Sequence, residues 1–317
     1  MADKKITDLQ QVSAITDDLN FPVDDTLQTY RATVGQVKSY LAPVYIPPIS
    51  TTYKSSSGTH YKSYAFICSG VSATIGATYT NNGNTYTVIK TVSSSNLIWL
   101  YGSAAPTTSG SLTKASGTGD STIAFTANRA ALYYRLKMAG GGGGGSGGGT
   151  SAGNGGAGGN STFGSNLTAA GGSAGSFTDS AGGAGGAGTI SEGMEVFNVS
   201  GGRGEGYRSS GTNSQGGGAG GSCFLGGNSM APGTDTAGQS TAANSGGGGA
   251  GGGTNSAAAQ TGTGGGGGAY IEVLITSPSS SYAWAVGAAG TAGSTGTNGR
   301  GGSAGGAGLI VVEEYYQ

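Results

Sequence analysis

The chain has 317 residues, a formal net charge of −1, 9% charged residues and 70 glycines. With no lysine after Lys137 and only Arg203, Arg208 and Arg300 beyond it, there is no polybasic stretch to neutralise phosphates, which argues against nucleic acid as a partner. No run of about 18 apolar residues suits a membrane span, and Met1–Asp8 lacks the apolar core of a secretory signal, so synthesis in the cytoplasm without export is expected.

Residues 1–42 are dense in acidic pairs, Asp17-Asp18 and Asp24-Asp25. Asp24-Asp25-Thr26 reads as a turn, and Thr33 offers an N-cap to a short helix with Val34, Val37 and Leu41 on one face. Such a segment is too short to hold a core alone and is expected to dock on something else. Pro43, Pro47 and Pro48 mark residues 43–62 as a linker, with His60 at its surface. Residues 63–130 read as a small all-β domain. Ala77–Thr80 and Thr85–Ile89 flank Asn82-Gly83, a tight hairpin turn. Leu97–Tyr101 and Thr122–Phe125 add strands at the short spacing of all-β folds. Cys68 and Cys223 lie in different regions and read as two unpaired thiols.

Residues 131–317 hold the glycines: all but nine of the 70 fall between Gly140 and Gly308. A flexible linker is the usual meaning of such composition. The flanks favour order instead. Ala131–Met138 enters the first glycine run, Ala269–Thr276 leaves the last, Tyr282–Val286 alternates with period two, and Leu309–Tyr316 closes the chain. These four segments predict a sheet or sandwich bracketing the glycines. In a polyproline-II-type helix with three residues per turn, Gly-Gly-Ala steps such as Ala181–Gly188 put Ala on one edge and bare backbone on two. Lateral hydrogen bonds between such helices would satisfy every backbone group. A bundle is expected, because only many neighbours offset the entropy glycine loses.

Chemistry-bearing motifs are weak. Gly-X-Ser-X-Gly occurs at 144–148, 171–175 and 301–305, as glycine-rich sequence does by chance, and the one histidine, His60, precedes all three. No Gly-Lys pair exists for a Walker loop, and one His with two distant Cys makes no zinc set, so neither cofactor nor metal is expected. Glu192, Glu195, Glu205, Asp179 and Asp235 could host glycoside hydrolysis, but sparse acids in loops are usually solvated. Side chains interrupting the glycines are better candidates for contact with a partner: Met194, Phe197, Tyr207 and Arg208 within 189–210, Phe224, Leu225 and Met230 within 222–235, and Phe163 and Phe177 in smaller loops. The alternative is that they tuck under the loops as small satellite cores.

Three resemblances order these parts. Lys5–Leu9, Ile15–Leu19, Pro22–Asp25 and Thr33–Leu41 resemble the N-terminal attachment segment of tailed-bacteriophage tail-fibre proteins. Residues 63–127 resemble β modules of phage structural proteins. Tyr134–Ala139 before the first glycine run, Gly264–Glu272, Ala285–Gly290 and Gly305–Tyr316 resemble the brackets of glycine-rich receptor-binding domains at tail-fibre tips, a likeness also shared with the glycine-rich ectodomains of some animal receptor kinases. The resemblance implies a mainly β, homotrimeric fibre adhesin on the virion tail. Residues 1–42 would dock on a tail, baseplate or proximal fibre protein, and the tip loops on a bacterial surface glycan or outer-membrane protein. A polysaccharide-cleaving spike and a purely structural fibre or baseplate decoration are the alternatives.

Overall fold

A computed structural model describes residues 20–25, 28–33, 46–68, 71–92, 96–207, 215–256 and 259–316. Among them the fold is mainly β and contains no helix. The chain divides into two units after Ile46. In the first, β1 (Asn20–Asp25) pairs antiparallel with β2 (Gln28–Thr33), Asp25 opposite Gln28. Thr26 and the helix expected after Thr33 lie outside the described residues.

The second unit opens with a correction. Residues 43–62 are not simply a linker: β3 (Ile49–Tyr53) and β4 (Ser57–Tyr61) are strands. Their Ser/Thr-rich sequence reads as loop because edge strands are half-solvated and polar. Their partners are also far away in sequence, β3 pairing with β18 (Leu309–Tyr315) and β4 with β17 (Ser281–Ala285). Two five-stranded sheets result. One runs β15 (Met194–Val199), β16 (Tyr270–Ile275), β11 (Tyr133–Ala139), β18, β3; the other runs β14 (Gly188–Ile190), β13 (Leu167–Ala169), β12 (Ser161–Phe163), β17, β4. Period-two patterning turns Leu136, Met138, Ile271, Val273, Ile310 and Val312 inward from the first sheet to meet Phe163, Leu167 and Tyr282 from the second. The core therefore lies between the sheets, as in a sandwich.

Between β4 and β11 the chain builds a closed barrel. Strands β5 (Ser63–Cys68), β6 (Thr78–Asn81), β7 (Asn84–Val92), β8 (Leu97–Tyr101), β9 (Gly110–Ser116) and β10 (Thr122–Ala130) close in the order β10-β5-β8-β7-β6-β9. Asn82 and Gly83 both have positive φ, 49° and 77°, the geometry that matches a two-residue turn to the twist of its strands. Tyr79, Tyr86, Val88, Leu112 and Ile123 fill the interior, with Phe66 and Phe125 edge-to-face at 4.8 Å. Closure leaves no unpaired edge.

The glycine segments extend from the sandwich as a hydrogen-bonded lattice. Residues 140–149 show its rule. Gly141, Gly144 and Gly147 donate to Gly159, Gly156 and Gly153; Gly142, Gly145 and Gly148 donate to Gly306, Ser303 and Arg300; Gly143, Ser146 and Gly149 donate to Gly266, Thr263 and Gln260, all at 2.8–2.9 Å. Partner numbers fall by three as donor numbers rise by three, so each neighbour is antiparallel and the helix repeats every three residues. The carbonyls of the same segment accept from Gly172 and Gly175, from Gly290, Gly293 and Gly296, and from Gly249 and Gly252, whose numbers rise with theirs and which therefore run parallel. Six segments surround one.

This packing explains the composition. The unbroken glycine runs occupy the interior, where 141–149, 245–254 and 261–268 are buried throughout. At the surface, one residue in three can carry a side chain: Asn154, Ala157 and Asn160 are exposed while the glycine pairs between them face inward. Where one face alone touches the bundle, Gly287, Gly290 and Gly293 are buried and both residues between successive glycines are exposed. A Cβ on Gly142, Gly144 or Gly145 would collide with the carbonyl oxygen of Gly247, Thr291 or Ala250.

Candidate functional site

The candidate side chains separate into three groups. Phe163 is a correction: it is fully buried in the sandwich core and stacks on Tyr282 at 4.7 Å, so it cannot meet a partner. Its triplet Ser161-Thr162-Phe163 lies between glycine segments and is too short to show a period, so sequence alone reads it as an exposed loop. Phe177 and Tyr207 are half-buried, on segments leading away from the sheets, and Phe177 N–H donates to Asn154 Oδ1 at 2.7 Å. Arg208 lies outside the described residues.

The remaining residues stand at the sheet end of the lattice. Met194, Val196 and Phe197 belong to β15, the edge strand beside β16, and are 58%, 43% and 46% exposed. A bulge between Glu195 and Phe197 breaks the register there, so consecutive side chains no longer alternate cleanly. The second loop is pinned at Cys223, which is buried against Ala139 and Tyr270. A turn closed by Gly226 N–H to the Cys223 carbonyl, with Gly226 and Gly227 at positive φ, then projects Phe224, Leu225 and, further along, Met230 outward. Phe224 stacks on Tyr270 at 4.5 Å and faces Phe197 at 6.0 Å. An edge strand and a loop, 27 residues apart at Phe197 and Phe224, thus contribute to one aromatic stack.

The base of that stack is rigid. Tyr270 is buried and donates its O–H to Glu272 Oε2 at 3.1 Å, while Arg135 Nε holds Glu272 Oε1 at 2.5 Å. Burial, and then the Glu272 carboxylate, push the Tyr270 phenol well above its usual range, so it stays a neutral donor. Chemically the site offers exposed rings and aliphatic side chains on a fixed base, which suits non-covalent contact with a partially apolar partner.

Three of the five acids considered for hydrolysis have partners within the fold. Glu192 accepts the Tyr282 O–H at 2.8 Å, Glu205 accepts the Ala219 N–H at 3.1 Å, and Asp235 pairs with Arg300 at 3.1 Å. Among the described residues no three His, Cys, Asp or Glu side chains gather to hold a metal ion. His60 is a second correction: it is buried rather than at a surface, with Nε2 2.7 Å from Glu314 Oε1 and Nδ1 2.8 Å from the Tyr53 hydroxyl. Sequence reasoning also missed a cleft beside it, lined by Tyr53, Tyr61, Tyr101 and Trp284. The available signal was a pair of tyrosines at 53 and 61 in otherwise small polar sequence.

Compared with protein-family models, with curated proteins and with solved structures, the chain finds no match.

Proposed function

We propose that the chain is a bacteriophage tail-fibre adhesin, carried on the virion tail as a homotrimer, that contacts a host surface receptor through Met194, Phe197, Phe224 and Leu225. The observation that carries this reading is the Phe197–Phe224 stack, exposed on a hydrogen-bonded lattice that keeps it in place. A free-standing protein rarely leaves such side chains clustered in water without a use for them. The resemblance of residues 1–42 to fibre attachment segments supplies the particle, and that of the glycine brackets supplies the fibre tip. In this reading residues 1–42 dock on the tail or baseplate, and the chain binds without catalysing.

The test is the double variant Phe197→Ala with Phe224→Ala, compared with the parent for adsorption to host cells and for mass by light scattering. Loss of one true aromatic anchor costs about 2 kcal/mol or more, so adsorption should fall tenfold or more while the trimer survives. Unchanged adsorption by the assembled variant would remove the patch from the receptor site. Dissociation to monomers would instead make the patch a subunit contact.

A further inference from the structure

Where the barrel meets the sandwich, strands β3, β4 and β17 of the sandwich and β5, β7 and β8 of the barrel line a cleft of about 300 Å³. Tyr53, Trp284, Tyr61 and Tyr101 line it, together with the hydroxyl-bearing Thr51 and Thr59. The rings come in two near-parallel pairs: Tyr53 and Trp284 are stacked at 4.0 Å, and Tyr61 and Tyr101 lie within 11° of parallel at 6.1 Å. All four are half-buried, so each keeps surface open to the cleft. Gly58, opposite Trp284 on the neighbouring strand, makes room for the indole: a Cβ there would come within 3.0 Å of the ring.

The wall is uncharged. Among the described residues no Lys, Arg, Asp or Glu lines the cleft. His60 does line it, but both its ring nitrogens are engaged, one with Tyr53 and one with Glu314. A phosphate or carboxylate ligand would find no cation to pair with. A wholly apolar ligand would leave the Thr51 and Thr59 hydroxyls without partners as it displaced their water. What fits is a molecule with one face of weakly positive C–H groups, for the negative faces of aromatic rings, and a rim of neutral hydroxyls. A sugar ring has both. The volume stands at the lower end of the roughly 300–1,000 Å³ range of small-ligand sites, which suits a short saccharide.

We infer that this cleft binds a neutral saccharide. The inference is independent of the adhesin reading, since a purified chain would bind the sugar whatever particle carried it, and the cleft shares no residue with the Phe197–Phe224 patch.

The full-length protein, displayed against an array of neutral and acidic glycans, tests it. Binding to neutral hexose-containing glycans is expected. Thr59→Trp, which fills the cleft from an exposed position and removes no core contact, and Tyr101→Ala should each weaken that binding tenfold or more. Tryptophan emission, to which Trp284 contributes from the cleft and Trp99 from a buried site, should shift on titration with the best-bound neutral glycan in the parent and not in Tyr101→Ala. The Phe197→Ala, Phe224→Ala variant should bind the array as the parent does. Recognition of acidic glycans alone, no binding to neutral glycans, or neutral-glycan binding that survives Thr59→Trp would overturn the assignment.

Discussion

His60 on β4 and Glu314 on β18 meet across the sandwich, Nε2 to Oε1 at 2.7 Å, although 254 residues separate them in the chain. Glu314 is 1% exposed, and its other oxygen accepts the Tyr316 O–H at 2.7 Å. The other ring nitrogen of His60, Nδ1, shares a hydrogen bond with the Tyr53 hydroxyl at 2.8 Å. A chain of four side chains therefore ties β3 and β4, before the barrel, to the last strand.

Breaking that chain should be costly. His60→Ala leaves a buried carboxylate short of a partner, a change that typically destabilises by about 3–5 kcal/mol. Denaturant unfolding should show a drop of that order. The double change His60→Leu with Glu314→Leu should recover part of it, because it removes the buried carboxylate with its partner and leaves only the hydroxyls of the half-buried Tyr53 and Tyr316 to turn to water. A His60→Ala protein as stable as the parent would mean that the pair is solvated.

The lattice should tell interior glycines from surface positions. Gly144→Ala places a methyl on the Thr291 carbonyl, where a rigid backbone cannot give way, and overpacking of this kind costs about 1–3 kcal/mol. Ala157→Ser, on the exposed edge of 152–160, should stay within about 0.5 kcal/mol. Hydrogen exchange adds a direct readout. Amides of 141–149 should be protected in the parent, and random-coil exchange there would leave only the linker reading.

Alkaline pH should unfold the protein through its tyrosines. Burial, and then Glu314 and Tyr101, push the Tyr53 phenol up to about 12, and burial also raises Tyr64, Tyr79, Tyr86, Tyr134 and Tyr316. In the unfolded chain these groups ionise near pH 10. Below that pH both states keep their protons and this source adds no pH dependence. Above it the unfolded chain releases protons first, so stability should fall as pH rises from about 10 through 12. Thermal melts across that window check the slope. A melting temperature that stays level between pH 10 and 12 would contradict it.

The two thiols should be inert in the folded protein. Burial pushes Cys68 up to about 12 and raises Cys223 despite opposing backbone hydrogen bonds from Leu225 and Phe224. Iodoacetamide at about pH 8 should leave both unmodified until denaturant is added, since the thiolate is the nucleophile. Rapid alkylation of Cys223 in native protein would show that the Phe224 loop opens.

The sequence determined much of this protein by itself. Strand-favouring apolar runs marked the strands at 133–139, 270–275 and 309–315, period-two alternation marked that at 281–285, and Asn82-Gly83 marked its hairpin, because composition, side-chain period and turn chemistry are local properties. The glycine-only runs even encoded their interior places, since a three-residue helix with six neighbours has room for no side chain. What the sequence did not determine was which distant segments meet. Nothing local pairs Phe197 with Phe224, seats Phe163 on Tyr282, or brings the polar strands at 49–53 and 57–61 to the last strands of the chain. His60 reads as a surface residue until Glu314 is placed beside it. Only the tertiary structure decided those contacts, because an edge strand or a buried pair takes its stability from partners that no short window of sequence contains.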